Sequence, residues 1–192
     1  MSTVIEEGVE VFDPRGRIRF ENLPLSARKS KLDGLRLGIL DNSKWNANKL
    51  LRGAAQALGS EIEFSAVNYY TKHSFSKDAS PELIAQIAAE NDLVLTAIGD
   101  CGSCTSACIR DAIALEKLGI PSAPIVTTEF VRETELTRQA VGMRTLEPVV
   151  ISHPVSSITA DEVAVRVQQI QAQAQEVWLG TKEPLKVTAE LA

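Results

Sequence analysis

The stretch Leu93-Val94-Leu95-Thr96-Ala97-Ile98-Gly99-Asp100-Cys101-Gly102-Ser103-Cys104-Thr105 decides how this chain is read. Its first six residues are a solid apolar run with no helical stripe, the pattern of a strand in a sheet covered on both faces. Gly99 and Gly102 then allow a tight turn, and a helical pattern continues to about Leu118 and stops at Gly119. Strand, glycine turn and helix in succession are the unit from which parallel α/β sheets are built.

The same alternation extends in both directions. Residues 35–40 are another short apolar run ending in Asp41-Asn42, and 46–58 read as a helix with Leu50, Leu51, Ala54 and Leu58 on one face. Residues 62–67 are the expected second strand, 68–80 a polar loop, and Pro81 the first residue of a helix. Downstream come a strand over 123–126, a helix over 129–140, a strand over 148–152 and a long helix over 159–179. In that last helix Val163, Val167, Ile170, Ala174 and Val177 recur at helical steps. Five strands alternating with helices imply right-handed crossovers and a mostly parallel five-stranded sheet. The expectation is one three-layer α/β domain over 35–180, flavodoxin-like or Rossmann-like. Residues 1–34 read as an extended arm, turning at 12–16 with a short strand near 17–20, and 181–192 as a tail. The arm and the apolar tail residues Leu185, Val187 and Leu191 suit contact with another subunit.

Composition narrows the function. Of 192 residues, 44% are apolar and 23% charged, as in ordinary globular domains, while aromatics are only 5%, so aliphatic side chains must fill the core. With 20 basic and 25 acidic residues the net charge is −5, which argues against nucleic acid as a partner. No apolar run approaches the length of a membrane span, and the acidic start Met1-Ser2-Thr3-Val4-Ile5-Glu6-Glu7 has no signal-peptide pattern. The expectation is a cytoplasmic protein that does not engage membranes.

All three cysteines, Cys101, Cys104 and Cys108, fall in one short segment. An odd, clustered set points to thiol chemistry or a metal rather than a disulfide framework. A Cys-x-x-Cys between a buried strand and a helix places its thiols beside the unpaired amides and positive dipole end of the helix, which favour a thiolate. Cys101 reads as nucleophile and Cys104 as its resolving partner. Cys108 shares a helical stripe with Ala112 and Leu115 and reads as a packing residue. Zinc or an iron–sulfur group on Cys101, Cys104, Cys108 and His153 is an alternative, although the spacing is awkward for a closed tetrahedral site.

In such sheets ligands bind beyond the C-terminal strand ends. That rule selects loops 41–48, 99–105 and 127–130, with His153-Pro154 as a fourth. Asn42, Lys44 and Asn46 would orient a small polar substrate carrying a carboxylate, the asparagines alternatively serving as Asx turn and N-cap. Asp100, Gly102, Ser103 and Thr105 would shape the site, Thr127 and Glu129 would line it, and His153 would serve as acid or base. His73 reads as a solvated loop residue.

The run 92–121, with Gly-Asp-Cys-Gly-Ser-Cys-Thr at its centre, resembles the UGSC family, named for a Sec/Cys-Gly-Ser-Cys motif and related to the selenoprotein B component of glycine, sarcosine and betaine reductases. The segment Leu35–Leu51, containing Asp-Asn-Ser-Lys-Trp-Asn-Ala-Asn, the loop 127–130 and Ser152-His153-Pro154 are similar in kind, so the resemblance spans about 24–160. It implies that Cys101 stands where selenocysteine can stand, with Cys104 as partner thiol, and that a selenolate in this kin attacks a carbon bearing a leaving group. Cysteine is the weaker nucleophile and needs more help from the helix terminus. Ala107 and Arg110 replace an aromatic and a histidine usual in the family, which implies a different pocket wall.

Three readings follow. The first is a thiol-dependent reductase or lyase acting on a small molecule, served by a thiol electron-donor protein. The second is a non-catalytic accessory subunit in a homo- or hetero-oligomer with a related chain. The third is a generic disulfide oxidoreductase.

Overall fold

The computed structural model describes residues 22–185, together with the backbone of 2–4 and 10–12. Strands β1 (Ser2–Val4) and β2 (Glu10–Phe12) pair antiparallel. The expected strand at 17–20 lies outside the described residues. Residues 22–34 run along the domain without regular structure. Leu23 N–H donates to Gly142 O and Lys29 N–H to Trp178 O. Between them Arg28 pairs with the buried Glu116, whose Oε2 also accepts from Ser26 N–H at 2.9 Å and Ser26 Oγ–H at 2.7 Å.

The domain proper follows as β3 (Arg36–Asp41), α1 (Ala47–Gly59), β4 (Ala66–Thr71), α2 (Pro81–Glu90), β5 (Leu93–Gly99), α3 (Gly102–Lys117), β6 (Ser122–Thr127), a 3₁₀ turn (Thr128–Phe130), α4 (Val131–Val141), β7 (Val149–Ile151) and α5 (Ala160–Leu179). The five strands β3–β7 form one all-parallel sheet in the order β4-β3-β5-β6-β7. Numbered among themselves these are 2-1-3-4-5, the flavodoxin-like order, whose direction reverses between β3 and β5. Every residue of β5 is buried, as expected for the central strand of a sheet with helices on both faces.

One face packs Leu37, Ile39, Leu93, Leu95, Ile125 and Val149 against Leu50, Leu51, Ala54 and Leu58 of α1 and Ile170, Ala174, Val177 and Trp178 of α5. On the other face Leu40, Val94 and Val126 meet Ile84 and Ile87 of α2 and Ile109, Ile113 and Leu115 of α3. The helix starts follow local chemistry. Ser80 Oγ accepts from Leu83 N–H ahead of Pro81, and Thr159 and Glu162 form a reciprocal capping box on α5.

Two sequence expectations need correction. The second strand lies at Ala66–Thr71, not 62–67. Ile62 and Phe64 do join the core, but from the turn after α1. Extended pairing begins only at Ala66, and β4, at the sheet's edge, leaves Val67, Tyr69 and Thr71 exposed. A half-exposed edge strand therefore looks like a polar loop in sequence. The helix expected over 129–140 starts as the 3₁₀ turn and becomes α-helical only at Val131. The first tail residues fold back on this chain, with Thr181 N–H donating to Glu176 O and Leu185 N–H to Glu147 Oε2 at 2.9 Å. Val187 and Leu191 lie outside the described residues. No helix among the described residues is long and apolar enough to cross a membrane.

Candidate functional site at the switch point

The order in which strands are added reverses between β3 and β5, and the loops leaving these two strands meet there. Asn42 N–H donates to Ala97 O at 3.0 Å, and its Nδ2 donates to Ile98 O at 3.0 Å. The buried Asn42 thereby ties the two strand ends together and, through Oδ1, accepts from Lys44 N–H at 3.2 Å. At β5 the chain turns straight into α3. A Cβ on Gly99 would stand 2.7 Å from Thr105 Oγ1 and 2.8 Å from Thr105 Cα, so only glycine lets α3 start this close to the strand. Gly102 meets no such obstacle, since a methyl placed there would have nothing within 4 Å. Its expected role in a tight turn is therefore not required by the backbone.

Cys101 is the N-cap of α3 and is joined to Cys104 by a disulfide with a Cα–Cα separation of 5.3 Å. Cys104 N–H donates to Cys101 Sγ at 3.3 Å, and Thr105 donates to Cys101 O through both N–H, at 2.9 Å, and Oγ1–H, at 2.7 Å. Thr105 is thus buried in the scaffold of the turn. Gly102 and Ser103 are exposed beside the disulfide, with Ser103 Oγ 3.7 Å from Cys101 Sγ. The two sulfurs differ in access, since Cys101 is partly exposed and Cys104 is fully buried.

Lys44 reaches this pair across the switch point. Its Nζ is 3.1 Å from Cys104 Sγ, 2.7 Å from Asp100 Oδ1 and 5.3 Å from the centroid of the Phe75 ring. The lysine side chain is 16% exposed and Asp100 only 2%, so both charges sit largely out of water. Asp100 Oδ2 accepts from Ser156 Oγ–H at 3.3 Å, tying the loop after β7 to the cluster. The approach of Lys44 to Cys104 and Asp100 has no signature in the sequence, which marks Lys44 only as a substrate contact. The one local hint is a lone cation in the loop after β3.

Other expected site residues take structural positions. Asn46 occupies the N-cap position of α1 in a left-handed conformation (φ 64°) without capping it. Its Nδ2 instead donates to Val155 O at 2.8 Å, so the N-cap expectation is corrected: the amide is spent on holding two loops together. Thr127 Oγ1 and His153 Nδ1 share a hydrogen bond of 3.0 Å, and the His153 ring lies 5.8 Å from that of Phe130. His153 bonds to neither cysteine among the described residues. Glu129 is exposed on the 3₁₀ turn. Ala107 is buried within α3, and Arg110 pairs at the surface with Asp78 at 3.3 Å.

Cys108 is buried as its stripe implied. Its Sγ lies 3.1 Å from Thr96 Oγ1, and burial pushes the pKa of the thiol up to about 11. Among the described residues the potential metal donors that cluster are Asp100, Cys101 and Cys104, within 4.8 Å of one another, and Cys108 and His153 are not among them. The Cys₃His arrangement is therefore not assembled. In the disulfide form two of the three clustered donors share a bond and the third pairs with Lys44.

Trp45, 72% exposed, and Phe75, 43% exposed, stand on the loops around Lys44. Residues 71–83 form a half-open cavity of 410 Å³ lined by Thr71, Lys72, His73, Lys77 and Leu83 among others, and neither cysteine lines it.

No curated protein matches the chain. Among solved structures the flavodoxin-like domain of a Synechococcus protein is similar at 9% identity and a TM-score of 0.41, covering 76% of this chain and 99% of that one, a likeness too loose to bear on function. The model of the UGSC family, in contrast, matches residues 10–180, which takes in the whole parallel sheet, the cysteine loop and the loop carrying Lys44. This chain belongs to the UGSC family.

Proposed function

We propose that the protein is a cytoplasmic thiol enzyme whose working group is the Cys101–Cys104 pair, Cys101 making and breaking bonds with the substrate and Cys104 resolving the adduct. The observation that carries this reading is the unequal access of two sulfurs already within bonding geometry at a helix N-terminus. Cys104 can attack Sγ of an adduct on the partly exposed Cys101 without any other group moving in. The S–S bond forms, and the bond from Cys101 Sγ to the substrate breaks with its electron pair passing to the substrate, which takes up a proton and leaves reduced by two electrons. The amides of Gly102 and Ser103, at the first positions of α3, suit an anionic group on the substrate, in keeping with a small carboxylated molecule. Such a cycle ends with the disulfide, so it needs a thiol donor to begin again. Family membership adds weight, since the motif of this kin is the same Cys-Gly-Ser-Cys.

The test is alkylation of the reduced protein with iodoacetamide across pH, read peptide by peptide. Cys101 should react fastest and well below the pH of an ordinary thiol, while Cys108 stays unmodified in the folded chain. Equal, slow labelling of Cys101 and Cys104 at the rate of a free thiol would refute the assignment of a nucleophile.

A further inference from the structure

We propose that Lys44 and Asp100 form an opposed charge pair that sets how readily the Cys101–Cys104 disulfide is reduced, by acting on Cys104 as the leaving sulfur, and that the reductant is a dithiol. This rests on the thiol reading above. Only Cys101 is accessible, so an incoming thiolate bonds to Cys101 Sγ. The Cys101–Cys104 bond then breaks with its electron pair passing to Cys104 Sγ. The reductant's second thiolate attacks its own sulfur in the mixed disulfide and expels Cys101 as a thiolate. The dithiol is oxidised to a disulfide, the protein gains two electrons, and the two protein thiolates take up protons as the pH dictates.

Cys104 is fully buried, and a bare thiolate there would carry a heavy desolvation cost. The Lys44 ammonium, 3.1 Å from Cys104 Sγ, offsets that cost, because an opposite charge at this range favours the ionised form. Asp100 pulls the other way. Its carboxylate lies within 4.8 Å of both sulfurs and holds the same ammonium at 2.7 Å. With the disulfide closed, the pair is neutral. Opening it adds a negative charge that Lys44 stabilises and Asp100 opposes. Of the other ionisable groups at this end of the sheet, Asp41 accepts from Ser43 N–H at 2.8 Å, Lys72 pairs with Asp111, and His153 bonds Thr127, while Glu129 and His73 are exposed to solvent. Cys108, on the same helix, stays a neutral thiol.

The two charges predict opposite effects, which a mere loosening of the site would not produce. The experiment equilibrates the full chain, at neutral pH, with buffers of oxidised and reduced dithiothreitol, traps the thiols by alkylation and measures the disulfide fraction by mass. Lys44→Met should make the disulfide about tenfold harder to reduce, about 30 mV more reducing. Asp100→Asn should make it more easily reduced by a comparable factor, and Lys44→Arg, which keeps the charge, should stay near the wild type. If the wild-type pair cycles but Lys44→Met and Asp100→Asn fail to move in opposite directions, the charge-pair proposal is overturned while the thiol reading stands. A wild-type pair that does not cycle at all overturns both. Should Lys44→Met not fold, Asp100→Asn against Lys44→Arg decides: no rise in reducibility in Asp100→Asn overturns the proposal.

Discussion

Replacing Gly99 by alanine tests whether the close start of α3 on β5 is what places the cysteines. The added methyl would lie 2.7 Å from Thr105 Oγ1, 2.8 Å from Thr105 Cα and 3.0 Å from Val126 Cγ1. A rotamer change cannot relieve this, because one of these atoms is backbone and Thr105 Oγ1 is held by Cys101 O at 2.7 Å. Val126 is fully buried and packed against α3, so it has nowhere to withdraw. The helix start must shift by a few tenths of an ångström, and overpacking of this kind costs about 1–3 kcal/mol. For a chain of this size that corresponds to a melting temperature lower by roughly 2 to 12 °C. The internal control is Gly102→Ala, three residues on. There a methyl meets nothing within 4 Å, and the residue is absent from the left-handed region. Removing glycine from the unfolded chain should leave that variant as stable as the wild type or more so, by up to about 1 kcal/mol. Urea unfolding of the three proteins reads the difference directly. A Gly99→Ala midpoint indistinguishable from wild type, or a Gly102→Ala loss as large as that of Gly99→Ala, would refute the steric argument.

Three further outcomes are expected. Cys108 is held neutral by burial, with its pKa at about 11, so its contribution to stability is intact below the ordinary thiol range and is lost as pH rises through that value. The loss amounts to about 2–3 kcal/mol, and between pH 8 and pH 11 the unfolding midpoint should fall further in wild type than in Cys108→Ala. Glu116→Ala removes the acceptor of Ser26, Arg28 and Ser122 N–H, and should cost about 3–5 kcal/mol and expose the segment around Arg28 to proteolysis. Asn46→Ala forces a left-handed alanine and breaks the bond to Val155 O, for about 1.5–3 kcal/mol in urea unfolding. Asn46→Gly should recover the part due to backbone strain.

The elements that read most clearly in sequence are those whose signal is local. The apolar run of β5, the stop of α3 around Gly119, Pro81 opening α2 and the stripe of α5 each reflect a periodicity or cap within one segment, and each lies close to its expected place. The half-polar edge strand β4 is displaced from its expected range, because its pattern is set by where the sheet ends, and that depends on the other strands. The placement of Cys101 at the start of α3 is legible for the same local reason, and so is the burial of Cys108 on its stripe.

Sequence alone determined that this chain builds a parallel α/β sheet with a cysteine loop between its central strand and the following helix. Those features depend on hydrophobic period and on the conformational freedom of particular residues, both fixed within a few positions. Tertiary structure alone decided that β3 lies beside β5, and therefore that Lys44 meets Cys104 and Asp100 across the switch point. It also decided that Asn42 and Asn46 spend their amides on the chain's own loops. Strand order arises from packing between segments distant in sequence, and a polar side chain's partner is set by that packing, so no local pattern could have named it.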